Sequence, residues 1–254
     1  MRKIIKRLIV AALVLSMFTA SNASAAGFVT KTYYYNKSGK MVTGGKKING
    51  DYYYFNKKTG ELEGRVMKIT YMNQSKGVWK DGKWRYTWIP NSRTWNGYRF
   101  GNGSCGVTSV AMAISALRGK LTLSTNFNSI SCGFNGRGSN YDVGVRSAAK
   151  YGLKGKVGKL TKNSAIKNIL KGRFIVVWVT RSIYGGSGNT TGGDVGSGGG
   201  HFVLIHGYKN GKFAVADPNN LSQTYVWSKK WQTWESFNNH LGNGKSGSYC
   251  VIWK

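Results

Sequence analysis

Apolar residues recur at helical spacing early in the main part of the chain, where Val107, Val110, Ala111, Ile114 and Leu117 fall on one stripe. The spacing predicts a helix over 107–117. Val145, Ala148 and Ala149 predict a second helix over 143–151, closed by Gly152, and a third over 165–170 stops at Gly172. The pattern then changes. Residues 174–180 form a dense run of β-branched and aromatic side chains, the mark of a buried strand. Residues 201–208 and 212–216 predict two further strands around Asn210-Gly211. The aromatic stretch with Trp79, Trp84, Trp88 and Trp95, broken by Asp81-Gly82 and Asn96-Gly97, reads as short strands and loops. Nine glycines among residues 185–200 make a flexible loop leading into His201. Helices first and strands later argue for an α+β domain from Val66 onward.

A repeat precedes that domain. Tyr33-Tyr34-Tyr35-Asn36-Lys37-Ser38-Gly39 recurs as Tyr53-Tyr54-Phe55-Asn56-Lys57-Lys58-Thr59-Gly60. Each copy predicts an aromatic strand, a glycine turn and a return strand, so residues 27–65 are expected to form a small β-hairpin repeat. Residues 28–64 resemble the cell-wall-binding repeats of choline-binding and glucan-binding proteins. That resemblance implies an aromatic cage for a quaternary ammonium, held by cation–π attraction. The pattern departs at two places: Gly45 follows Thr43-Gly44 where the repeats usually carry Trp, and Tyr52 replaces a second Trp. Choline, another wall ligand and a plain wall-contact hairpin all fit such a segment.

The amino terminus bears on the compartment. Residues 1–7 are basic, 8–20 are apolar, and Ala23-Ser24-Ala25 makes an A-x-A pattern. Residues 1–25 therefore read as a signal peptide, with an apolar run too short for a comfortable membrane span. The mature protein is expected to be secreted, extracellular or cell-wall associated, without a membrane contact of its own. The whole chain carries a formal charge of +30; loss of the four basic residues in 1–25 leaves +26. A field of that size attracts polyanions. For an exported protein the fitting partner is an anionic wall polymer, teichoic acid or peptidoglycan, rather than nucleic acid. With 13% aromatic residues the chain is too rich in core formers to be disordered.

Candidate chemistry begins at Cys105, flanked by Ser104 and Gly106 at the start of the first predicted helix. Unpaired backbone N–H groups and the helix dipole favour a thiolate there. His201 opens a strand, and Asp217 ends the neighbouring one before Pro218. Such a pair can serve as base and orienter for a thiol. Strand parity tests it. A two-residue turn at Asn210-Gly211 would set Asp217 opposite Leu204, on the wrong face for His201. A three-residue loop, with Gly211 left-handed and a bulge, sets it opposite Val203, one diagonal step from His201. A bulged turn at 209–211 is expected.

Gly103-Ser104-Cys105-Gly106, Ala149-Lys150-Tyr151-Gly152-Leu153, Leu170-Lys171-Gly172, Gly200-His201-Phe202-Val203 and Ala216-Asp217-Pro218 occur in this order. Together, over about residues 69–235, they resemble the papain-like cysteine peptidases related to the double-glycine (bacteriocin leader) peptidases, in a secreted stand-alone form. The resemblance implies an amino-terminal helix packed on an antiparallel sheet within residues 66–254. It implies Cys105 as nucleophile, His201 as general base and acid, Asp217 as orienter, and Gln74 as oxyanion donor, although Gln74 lies 31 residues before Cys105. The expected reaction is peptide-bond hydrolysis on a peptide or protein substrate, with no cofactor. A peptidoglycan peptide hydrolase using the same residues is one alternative, and a non-catalytic wall-binding protein is another. The remaining groups have structural readings: His206 points to the opposite face from His201, and His240 sits in a polar loop. Cys132 and Cys250 are the two thiols an exported protein could oxidise to each other. Cys and His lack zinc-site spacing, so no metal is expected.

Overall fold

In a computed structural model, which describes residues 32–85, 100–136, 138–179, 201–218, 231–235 and 248–254, the backbone is built around one long strand. The strands are β1 (Gly44–Ile48), β2 (Asp51–Phe55), β3 (Leu62–Val66), β4 (Met72–Asn73), β5 (Gly77–Lys80) and β6 (Lys83–Arg85). After them come β7 (Lys154–Lys159), β8 (Phe174–Val179), β9 (His201–Lys209), β10 (Lys212–Ala216), β11 (Trp231–Thr233) and β12 (Ser248–Trp253). Three helices of seven or more residues among those described, α1 (Cys105–Arg118), α2 (Val143–Ala149) and α3 (Lys162–Leu170), complete the frame. The main sheet runs β1-β2-β3-β9-β8-β12-β7, with β10 on β9 and β11 on β10; β4-β5-β6 form a separate small sheet. All the pairings among the described residues are antiparallel, and the fold is α+β.

The long strand β9 is the axis. Residues 201–205 pair with β8, while Gly207 and Tyr208 pair with β3. Because β10 pairs along 204–209, β3 and β8 must follow one another along the opposite edge of β9. The aromatic hairpin is thus continuous with the main sheet. Asp51 reinforces that junction: it pairs with Arg65 at 2.8 Å and accepts from the Lys68 N–H at 3.0 Å. The Arg65 guanidinium also donates to the carbonyl of Leu170, the last residue of α3.

Burial follows from composition. Five of six β8 positions and the first seven of β9 are buried, as expected for apolar strands covered on both faces. Helix α1 packs on β8, β9 and β12, and also on α2 and β4, so it is buried nearly all round rather than along one stripe. Its small residues, Gly106, Ser109, Ala111, Ala113 and Ser115, allow that close approach. The helix starts at Cys105, two residues before the first position of its apolar stripe, Val107. Strands β7 and β12 are additions to the predicted set. The edge strand β7 reads KGKVGK, and lysines of that kind, suited to an unpaired edge, erase the apolar alternation.

The expected turn is corrected. Asn210 and Gly211 both have positive φ, 49° and 77°, and Lys209 pairs with Lys212. This is a two-residue mirror-image turn, favoured by the Asn-Gly dipeptide because its twist matches that of the strands. The bulge lies further along. The register shifts between Ala214 and Val215, leaving His206 as the extra residue, so that Ala216 faces Leu204. All three cysteines are free thiols. The Cys250 Sγ donates to the Tyr141 carbonyl at 2.6 Å, and burial pushes that thiol up to about 11.

Candidate active site

Continuing the shifted register one residue past β10 sets Asp217 opposite Val203, on the face of β9 that carries His201. There the two side chains meet. His201 Nε2 lies 2.7 Å from Asp217 Oδ1, with both side chains buried. An ionised carboxylate only accepts, so Nε2 carries the hydrogen and donates it. The Asp217 segment is held from outside. Tyr71 donates its hydroxyl to the Asp217 carbonyl at 2.6 Å, and the Gln74 N–H donates to the Pro218 carbonyl at 2.8 Å.

Cys105 enters from α1, whose position on β9 is set in part by the Ser109 hydroxyl donating to the Phe202 carbonyl. Ser104 precedes the helix as its cap residue and Gly106 follows the thiol. A Cβ on Gly106 would coincide with the side chain of Ser139, so only glycine lets the loop at 139 close over this turn. Gly106→Ala is expected to destabilise the protein by about 1–3 kcal/mol and displace Cys105. Thermal melting and the alkylation rate of Cys105 check this.

The electrostatics of His201 unite the three groups. Burial, the largest influence, opposes the imidazolium. The Asp217 carboxylate, by its charge and hydrogen bond, and the Cys105 side chain together outweigh burial and raise the pKa from 6.5 to about 10. Among the described residues the second ring nitrogen, Nδ1, is buried and meets no partner but the Cys105 side chain. With Nε2 committed to Asp217, Nδ1 is the nitrogen left for proton exchange with a thiol.

Gln74 is buried, and its backbone lies beside Pro218. His206 is elsewhere: its Nδ1 lies 3.0 Å from the Met67 carbonyl, and burial holds it neutral, with its pKa down to about 4. Sequence reasoning missed Tyr71 and Ser139. Neither belongs to a motif; Tyr71 lies close to Gln74 in the chain, but its bond spans 146 residues. The loop at 185–200, His240, Trp88 and Trp95 of the aromatic stretch and the amino-terminal 25 residues lie outside the described residues. Among the described residues no group of three or more His, Cys, Asp or Glu side chains is placed to hold a metal ion.

An antiparallel α+β fold with a cysteine at a helix start, beside a buried His–Asp pair, defines the class that comparison then names. Residues 66–242 match the Peptidase_C39 like family, and the chain belongs to it. Residues 30–63 match the choline-binding repeat. Among solved structures, the chain is similar to a protein of Bacillus anthracis described as a C39-like peptidase, at 16% identity and a TM-score of 0.43, covering 59% of this chain and 88% of that one. The peptidase domain of Streptococcus ComA, a bifunctional ABC transporter of a quorum-sensing pathway, aligns at 18% identity and a TM-score of 0.42, covering 59% and 90%. A double-glycine-motif protease from an AMS/PCAT transporter, in complex with its leader peptide, aligns at 17% and 0.40, covering 74% and 92%. The comparison with curated proteins gave no match.

Proposed function

We propose that this protein is a secreted, wall-associated cysteine peptidase that hydrolyses peptide bonds through a thioester on Cys105. The observation that carries the reading is the buried His201 ring, with Nε2 on Asp217 and the Cys105 side chain as its other charge and hydrogen-bond partner. Cys105 reacts as a thiolate paired with the His201 imidazolium, whose Nδ1 holds the proton, and the thiolate attacks the scissile carbonyl carbon. The oxyanion is stabilised by the Cys105 N–H and the side-chain amide of Gln74. The tetrahedral intermediate collapses as the imidazolium protonates the leaving amine, which leaves the acyl group on sulfur. Water then attacks the thioester, with Nδ1 taking its proton, and the product acid leaves as the thiolate–imidazolium pair is restored. Asp217 acts through His201, holding the ring and the charge it acquires.

Residues 1–25 direct export and are removed, and the hairpin of 27–65 brings the enzyme to the wall. The wall repeat and the net positive charge favour a second reading of the same site, in which the peptide is the stem or cross-link of peptidoglycan. Mature protein and its Cys105→Ala variant, each given purified peptidoglycan and a denatured protein mixture, separate the readings by mass spectrometry of products. Cys105-dependent new protein termini are the expected result. Cys105-dependent muropeptides would make it a wall peptide hydrolase, and no product from folded protein would leave a non-catalytic wall-binding protein.

A further inference from the structure

The three consecutive tyrosines of β2 all have a cation of the protein itself over their rings. Lys47 Nζ lies 5.4 Å from the Tyr52 centroid, the Arg65 guanidinium carbon 4.8 Å from Tyr53, and Lys209 Nζ 4.0 Å from Tyr54. Each interaction uses the negative ring face that a quaternary ammonium would need. Tyr52 and Tyr54 share one face of β2. They open into a cleft of about 550 Å³ whose other walls include Lys209 and Lys212, on either side of the Asn210-Gly211 turn, and Trp231 of β11. Among the described residues, none that lines it is acidic. The cleft exists because β3 joins the repeat hairpin to β9, so its aromatic wall comes from the repeat and its cationic wall from the main sheet.

We infer that this cleft is an anion-binding carbohydrate site, which takes a sugar ring against Tyr52, Tyr54 and Trp231 and an attached phosphate or carboxylate between Lys209 and Lys212. Trp231 and the edges of Tyr52 and Tyr54, whose cation-bearing faces are taken by Lys47 and Lys209, offer apolar surface to a pyranose. Two ammonium groups facing one opening favour an anion and disfavour a free cation such as choline. The ligand is a segment of anionic glycan polymer. A glycan phosphodiester and a peptidoglycan carboxylate share this chemistry. The site is not a substrate subsite: Lys209 and His201 stand at opposite ends of β9, eight residues or roughly 26 Å apart. The inference rests on the wall-association part of the proposed function and is independent of turnover.

The test measures binding of the full mature chain, carrying Cys105→Ala to remove hydrolysis, to purified Gram-positive walls. One arm uses intact walls, a second uses walls stripped of phosphodiester-linked polymer, and both are repeated with free choline as competitor. Lys209→Gln with Lys212→Gln is expected to weaken binding tenfold or more, whereas Lys209→Arg with Lys212→Arg retains it. Lys154→Gln with Lys156→Gln, on the far edge strand β7, removes the same charge and is expected to change binding less than twofold. Melting temperatures verify that each variant is folded. Lost binding on stripped walls identifies the phosphodiester, and retained lysine-dependent binding identifies the carboxylate. Equal losses in the two glutamine pairs would overturn the inference in favour of a general charge effect. Competition by choline with binding unchanged in the Lys209/Lys212 variant would overturn it in favour of a quaternary-ammonium site.

Discussion

Replacing Cys105 with alanine is expected to lower the rate of peptide hydrolysis on the order of 10⁶-fold, the scale seen when a nucleophile is removed from an acyl-transfer enzyme. The fold should survive, because the change removes one sulfur from a helix already held by Val107, Val110 and Ile114 in the core. A single-turnover assay together with a thermal melt reads both quantities. The thiols of the wild type can also be told apart. Cys132 and Cys250 are 2% and 1% exposed, and the Cys250 thiol is pushed up by burial, so neither should react readily. Alkylation at mildly acidic pH is expected to add one adduct, at Cys105, and His201→Ala should slow it. Turnover that persists in Cys105→Ala would overturn the proposed mechanism.

Removing the carboxylate of Asp217 should produce the second large effect, on both activity and stability. In Asp217→Ala the His201 ring is left buried without its charge partner, at a cost of about 3–5 kcal/mol. For a chain of this size that lowers Tm by roughly 10 °C. Hydrolysis is expected to fall by about 10²–10⁴-fold, the usual worth of a positioned acid–base group. Asp217→Asn, whose amide oxygen can still accept from Nε2–H, should recover part of the rate but not the charge stabilisation. Its alkaline activity limb should therefore move to lower pH. The main-chain bond from Tyr71 to the Asp217 carbonyl is independent of the side chain, so the local backbone should hold in both variants.

The sign of the pH dependence follows from His201. Its folded-state pKa is raised, from 6.5 to about 10, so the stability it contributes is fully present below about pH 6.5 and is lost as pH rises through about 10. The difference in Tm between wild type and Asp217→Ala should accordingly be larger at pH 6 than at pH 10.5. A difference that grew towards alkaline pH would mean that His201 is not protonated by its partners in the native state.

Much of this was legible along the chain because the signals are local. Apolar spacing located α1, β8, β9 and β10. The tyrosine repeat marked the hairpin, and the ordered motifs around Cys105, His201 and Asp217 pointed to the family that comparison later named. Local signals fail where a residue's neighbour is set by another element. Strand β7 is mostly lysine and glycine, and its place comes from pairing with β12 and from Gly155, whose missing side chain lets α2 approach. Tyr71 reaches Asp217 across the whole domain, and Ser139 closes on Gly106 from a loop with no motif.

The hairpin turn shows the division most clearly. Asn-Gly adopts the mirror-image turn for local backbone reasons, although the sequence reading expected a bulged three-residue loop so that Asp217 would reach the face of His201. Parity alone then put Asp217 on the wrong face. Only the tertiary structure decided otherwise, by placing a bulge at His206, where β3 rather than β8 borders β9 and the Met67 N–H donates to the His206 carbonyl. A bulge is stabilised by what packs around the extra residue, and those groups lie more than a hundred residues away in the chain. The same junction of β3 with β9 joins the repeat's tyrosines to the lysines of a distant hairpin, which no reading of either segment alone brings together.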